Sequence, residues 1–238
     1  WSSDVCSSDL DAQLHPERIP ESAVLTERLA ALSTLNLTSR EAAEKFQIPL
    51  ADALQQLQGK QAKQQAKQQL KQDAKQKGKQ GNGPQVLIRD LTEAKLYRAI
   101  YSEHQLEEQL VDFWFNHFNV SVTKGSVRFL VTSYERDAIR PHVWGKFRDL
   151  LGATAAHPAM LFYLDNWQNS TPDGPALFAK AKAKQARGIN ENYARELLEL
   201  HTLGVDNGYT QDDIVEVARA FTGWTILQPR QGGRSEEH

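Results

Sequence analysis

Cysteine is all but absent. Cys6 is the only one among 238 residues, so no disulfide can form within the chain, and a zinc or thiolate centre built on cysteine pairs is excluded. Long apolar runs are missing too: none approaches the ~18 residues that cross a bilayer as a helix. No signal peptide is visible, but the chain opens on Trp1 rather than Met, so that absence excludes nothing. Nor is there an excess of charge. A formal −2 does not call for nucleic acid, a membrane surface or an acidic substrate as partner. Several catalytic signatures are lacking: HExxH, any Cys/His cluster, a Glu-x-x-His pair, a glycine-rich phosphate loop and G-x-S-x-G. Asp206-Asn207-Gly208 invites comparison with an EF-hand. Taking Gly208 as the sixth loop position puts Leu203 first and Ile214 twelfth, where acids are required, so it reads as a turn.

Two ends look foreign to the rest. The chain begins WSSDVCSSDL and ends RSEEH. CSSDL can be encoded TGC TCT TCC GAT CT, and RSEEH AGA TCG GAA GAG CAC, whose opening bases are the reverse complement of the first. That pattern fits a sequencing adapter at both ends of a fragment, so residues 1–10 and 234–238 are expected to be non-native tails. Without Asp4, Asp9, Arg234, Glu236 and Glu237 the formal charge becomes +1, and Cys6 leaves with the first tail.

What is present is helical. With 40% hydrophobic and 24% charged residues, the chain suits one globular domain, or one plus a smaller unit. Residues 11–58 form a helical N-terminal region: Val24, Leu25, Leu29 and Leu32 recur at helical spacing, Thr38 or Ser39 caps a helix with Ala42, Ala43 and Phe46, and Pro49 opens another with Leu50, Ala53, Leu54 and Leu57. Residues 59–85 are a low-complexity Lys/Gln linker. Its lysines at 63, 67, 71 and 75 would stack like charges on a helix. It lacks the arginines and aromatics of a groove-reading or stacking site, so no specific nucleic acid is expected. Residues 86–233 form the main helical domain, expected to be truncated. Thr92 is a candidate cap, Ser102 with Gln105 a candidate capping box, and Thr210 with Asp213 another. Leu106, Leu110, Phe113, Trp114 and His117 fall at core spacing, with Phe115 and Phe118 widening the arc into a helix apolar on nearly all sides. Pro172, Gly174 and Pro175 mark an insertion over 168–187. No βαβ alternation appears, so the expected fold is all-α, an irregular multi-helix bundle.

Five segments carry a resemblance: FWFNHF at 113–118, IRPHVWGKFRDLL at 139–151, HPAMLFYLDN at 157–166, NENYARELLELHTLGV at 190–205 and GYTQDDIVEVARAFTGW at 208–224. In order and number they resemble the bacterial DUF1800 family, a domain of unknown function. The resemblance covers most of 86–226 and implies that the chain corresponds to an N-terminal half. It also implies an exported, periplasmic or extracellular setting, and a partner from the DUF1501 family encoded alongside. It supplies no catalytic residues. The linker and the AKAKAKQ stretch at 179–185 depart from the pattern.

NENYARELLELHTLG concentrates the ionisable groups. On a wheel at ~100° per residue, Glu191, Asn192, Arg195, Glu196 and Glu199 share one arc, while Tyr193, Ala194, Leu197, Leu198, Leu200 and His201 take the other side. Two readings stay open. In one, Arg195 pairs with Glu191 and Glu199 at i±4 on an amphipathic helix. In the other the arc is buried, and Glu196 and Glu199 address a metal ion or act as paired acid and base. His117 is either a buried histidine satisfied by a carbonyl or carboxylate, or a metal ligand or acid–base group. Asp165 and Asn166 either end a helix or converge with Glu196 and Glu199, an oxygen-donor set suited to Ca²⁺ or Mg²⁺. His142 and His157 read as structural or capping, and His201 as a core histidine. The leading expectation is a structural or interaction protein of the envelope. The alternative is a metal-assisted, hydrolase-like enzyme using Glu196, Glu199 and Asp165, joined by His117.

Overall fold

The computed structural model describes residues 10–47, 84–171, 188–226 and 235–236. The helix expected at Pro49, nearly all of the Lys/Gln linker and most of the 168–187 insertion lie outside them. The fold is all-α. Ser22 accepts from the Leu25 amide and opens α1 (Ala23–Ala30), whose Leu25 is buried. Thr38 and Glu41 form a capping box at α2 (Ser39–Ala42), which runs on as a π turn, Ala43–Gln47. Helix α3 (Gln85–Tyr101) starts behind Pro84, not at Thr92. Thr92 sits inside the helix and spends its hydroxyl on the Ile88 carbonyl, the back-bond open to a mid-helix threonine. The box expected of Ser102 and Gln105 at α4 (Gln105–His117) does not form. Ser102 instead donates to Glu21 at 2.8 Å, and Glu21 also takes the Glu103 amide at 2.9 Å, a tie to the N-terminal region that replaces the local cap.

Helix α5 (Val127–Ser133) continues as a π turn, Tyr134–Ile139, and a 3₁₀ turn, Arg140–His142, where Pro141 stops it. Next come α6 (Phe147–Ala156) and α7 (Pro158–Tyr163), the latter capped by His157, whose Nδ1 accepts from the Ala159 amide. Helix α8 (Asn192–Glu196) also runs into a π turn, Leu197–Thr202, and α9 (Gln211–Ala220) opens on a Thr210/Asp213 capping box. A two-residue strand, β1 (Thr225–Ile226), pairs antiparallel with β2 (Ser235–Glu236), with Thr225 opposite Glu236. Among the described residues no helix is long and apolar enough to cross a membrane.

The core gathers around α5. Val127, Leu130, Val131, Tyr134 and Ile139 pack with Phe118, Leu150, Met160 and Tyr193, and the Tyr134 hydroxyl donates to the Phe118 carbonyl. Helix α4 is less central than its composition suggests. It buries Val111 and delivers Phe118 to the core, but Phe113 is 58% exposed. Phe113 lies two residues, about 200° of helical turn, from Val111, so one packed side cannot hold both.

Candidate functional site

The signature helix, α8 with the turn that follows it, directs Glu191 and Arg195 toward α9. Arg195 donates to Glu191 at 3.2 Å, to Glu199 at 3.4 Å and to Gln211 at 2.9 Å, and Gln211 returns to Glu191 at 2.7 Å. Asp165 and His117 have other partners. Glu196 has no hydrogen bond among the described residues. Its carboxyl is raised above the usual range by burial and then by Glu199, with Arg195 opposing. The α-helical wheel also stops applying at Leu197. In the π turn the Leu198 carbonyl takes both the Leu203 and Gly204 amides, and Thr202 donates to the Leu197 carbonyl.

That turn presents the His201 carbonyl to His117, whose Nε2 donates to it at 3.1 Å. His201 itself is buried against Phe118, with ring centroids 5.1 Å apart. Burial and then the neighbouring His117 push its pKa down to about 4, so it is neutral at neutral pH. Its Nδ1 has no hydrogen-bond partner among the described residues. His142 donates from Nδ1 to the Ala138 carbonyl. His117 also lies among rings: Phe113 at 6.4 Å, Trp114 at 5.5 Å and Phe147 at 6.4 Å.

Asp165 and Asn166 belong to a polar junction. Asp165 adopts a left-handed φ of 58°, which Asp tolerates, and its carboxylate meets Lys124 Nζ at 2.6 Å. Lys124 also donates to the Tyr163 carbonyl. Asn166 donates to the Phe221 and Trp224 carbonyls. Asn169 donates to the Ala218 carbonyl at 2.7 Å and to Asn166 at 3.2 Å, and accepts the Asn190 amide at 2.9 Å. Asn190 in turn donates to the Asp165 carbonyl. Asn169, assigned above to the insertion, is thus a buried tie between α7, α8 and α9. Among the described residues no three His, Cys, Asp or Glu side chains are placed to hold a metal ion. Asp165, Glu196 and Glu199 therefore do not gather as a three-carboxylate Ca²⁺ or Mg²⁺ site.

The largest concentration of buried charge lies elsewhere, where α3, α4 and α5 meet. Glu135, 2% exposed, sits in the π turn of α5. Lys95 Nζ approaches it at 3.2 Å and Arg140 at 3.4 Å. Arg140 grips Glu108 with two bonds, at 2.7 and 2.9 Å. Burial works against the Arg140 charge, but Glu108, Glu135 and Glu107 outweigh it and hold the guanidinium above its usual pKa. Lys95 also pairs with Asp112 and lies 4.4 Å over the Phe115 ring. Arg98 is 3.9 Å from both Glu108 and Glu135. A half-open cleft of ≈ 310 Å³ borders this cluster, between α1, α3 and α5. On its rim Arg136 donates to the Leu35 and Leu37 carbonyls.

None of these residues stands among the sequence candidates, because their partners are far apart in the chain. One signal was present. In FLVTSYERDAI, Glu135 is four residues from both Val131 and Ile139, on the arc that faces the core. A carboxylate there requires partners.

The fold and this geometry define an all-α protein with a buried ionic cluster and no assembled metal centre among the described residues. Residues 6–237 match the family model described as Protein of unknown function (DUF1800), and the chain belongs to that family. The match runs into both terminal stretches. No curated protein and no solved structure matches the chain.

Proposed function

We propose that the chain is a structural and interaction protein of the bacterial envelope, which docks a partner protein on the aromatic surface around His117. One observation carries this reading. Phe113 is 58% and Phe147 42% exposed, both in ring contact with His117, and Leu200, beside His201, is 59% exposed. Large rings at a surface are costly to leave in water and are enriched at interfaces. The signature helix supports the same reading, because its arginine is engaged in bracing α8 against α9. The partner is a DUF1501-family protein, as the family resemblance implies. Co-expression followed by size-exclusion chromatography should give a complex, and Phe113→Glu with Phe147→Glu should abolish it while circular dichroism stays unchanged. A complex that survives both substitutions would sink the proposal.

A second reading, acid–base chemistry of the hydrolase type, has Glu196 in its favour. Its raised pKa and proximity to Glu199 resemble a divided carboxylate pair. It requires hydrolysis of an ester or amide reporter that Glu196→Gln removes. Undiminished turnover in that variant would dismiss it.

A further inference from the structure

We propose that the outer face of α3 is a self-association surface, on which a second copy of this chain packs its own α3 antiparallel about a twofold axis at Leu96. Helix α3 is held on three sides. Leu87, Leu91 and Ala94 are buried, Arg28 of α1 lies over Tyr97 and Tyr101 on one flank, and Lys95 reaches Asp112 of α4 on the other. The fourth side is open. Arg89, Thr92, Leu96, Ala99 and Ile100 are all exposed, and at ~100° per residue they share an arc of about 100°. Leu96 is 56% and Ile100 65% exposed, the latter the most exposed large apolar side chain among the described residues. Four positions apart, they adjoin on the helix surface as one apolar ridge. Thr92 and Ala99 beside them are small, and the Thr92 hydroxyl is already spent on the Ile88 carbonyl, so a second helix can approach closely.

Charge selects the occupant and its direction. Arg89 and Glu103 each stand seven residues from Leu96, on opposite sides of it. The Arg89 side chain is 53% exposed. It meets Asp90 at 3.1 Å and Glu93 only at 3.7 Å, which leaves donors for a further carboxylate. Glu103, just past the C-terminal end of α3, spends its amide and carbonyl on Glu21 and Gln13, while its carboxylate enters no ion pair among the described residues. A half-turn about an axis through Leu96 sets that residue against its own counterpart and Thr92 against Ile100 of the second copy. It also sets Arg89 against Glu103 of the second copy, twice over by symmetry. A parallel pair would instead face Arg89 with Arg89 and Glu103 with Glu103, which like charge opposes. The face is therefore self-complementary, as an isologous twofold interface requires. A helix of 17 residues is about 25 Å long. The contact is thus at the small end of specific interfaces, with a dissociation constant of about 10–100 µM. This face belongs to α3, and the aromatic surface around His117 to α4, α6 and the turn after α8, so the two stand or fall independently.

Sedimentation equilibrium of the 238-residue chain from about 5 to about 500 µM tests the proposal. A monomer–dimer equilibrium is expected, with the dimer prevailing at the upper end. Leu96→Glu sets two carboxylates on the axis and should leave the chain monomeric throughout, with unchanged circular dichroism because Leu96 is exposed. Glu103→Arg places like charges at both ends of the contact and should raise the dissociation constant by about tenfold. Oxidative cross-linking in a Cys6→Ser background reads the direction. Leu96→Cys should give a disulfide-linked dimer. Ala99→Cys should not, because antiparallel packing parts the two copies of that residue by about 9 Å along the helix axis, beyond the reach of a disulfide. The proposal is overturned if the chain stays monomeric at the highest concentration, which would leave the face to another protein. It is overturned equally if Leu96→Glu or Glu103→Arg dimerises as tightly as the parent chain, or if Ala99→Cys cross-links as readily as Leu96→Cys.

Discussion

Replacing Asn169 by alanine should destabilise the fold by about 3 kcal/mol, although the residue lies in a loop and beside an insertion. Asn169 is 3% exposed. Its side chain makes three hydrogen bonds, to the Ala218 carbonyl, to Asn166 and from the Asn190 amide. The Ala218 carbonyl belongs to the last turn of α9, where no intrahelical donor serves it. Alanine leaves that carbonyl and the Asn190 amide unpaired, at roughly 1–3 kcal/mol each, with entering water lowering the sum. With a urea slope of ~2 kcal/mol/M for a protein of this class, the midpoint should fall by about 1.5 M with the slope unchanged. Asn169→Asp discriminates further. It keeps an acceptor for Asn190 but loses both donated bonds and sets a carboxylate against two acceptor oxygens. It should be no more stable than the alanine variant at pH 7. A loss below about 1 kcal/mol for alanine, or an aspartate variant more stable than it, would refute the reasoning.

Three further outcomes follow from the same geometry. Glu135→Ala leaves Lys95, Arg98 and Arg140 around a missing buried charge and should cost about 3–5 kcal/mol by chemical denaturation. A cost below about 1 kcal/mol would show that the cluster is solvated. Arg195→Ala removes partly exposed pairs and should cost only about 0.5–1 kcal/mol, with little remaining effect in 1 M salt. Stability should fall with acid between pH 6.5 and about 4. His157, by burial with Arg136 adding and Asp137 opposing, and His201, by burial with His117 adding, are held down to about 4 from 6.5. The unfolded chain therefore binds more protons in that window, so unfolding becomes easier as pH drops, by up to ~1.4 kcal/mol per pH unit for each histidine. Glu196, raised in the fold, works in the opposite sense. Urea midpoints from pH 7 to 4.5 measure the net slope, and His201→Gln should remove about half of it. A flat profile contradicts the burial of both rings.

Local regularities were legible, and contacts across the chain were not. The Thr210/Asp213 box and the helix start at Pro158 depend on residues within four positions, so spacing finds them. Thr92 and Ser102 carry the same local pattern, yet their hydroxyls go to Ile88 and Glu21. A cap competes with every other acceptor in reach, and sequence does not show which acceptor folding brings near. The signature helix was half legible. Its i±4 pairs follow from spacing, but the π turn at Leu197 does not, and that turn presents the His201 carbonyl to His117.

The asparagines show why a polar motif misleads in this chain. Of Asn166, Asn169 and Asn190, the first stands among the ligand candidates, because amides and carboxylates recur where ligands are held. Here most of their partners are backbone groups 21 to 58 residues away, near the ends of helices. A helix end needs partners that the helix cannot supply, and a short amide side chain meets that need without burying charge. Where α7, α8 and α9 meet, the three asparagines serve that need. Other buried polar atoms, Thr132 Oγ1, Glu135 Oε2 and His201 Nδ1, find no hydrogen-bond partner among the described residues.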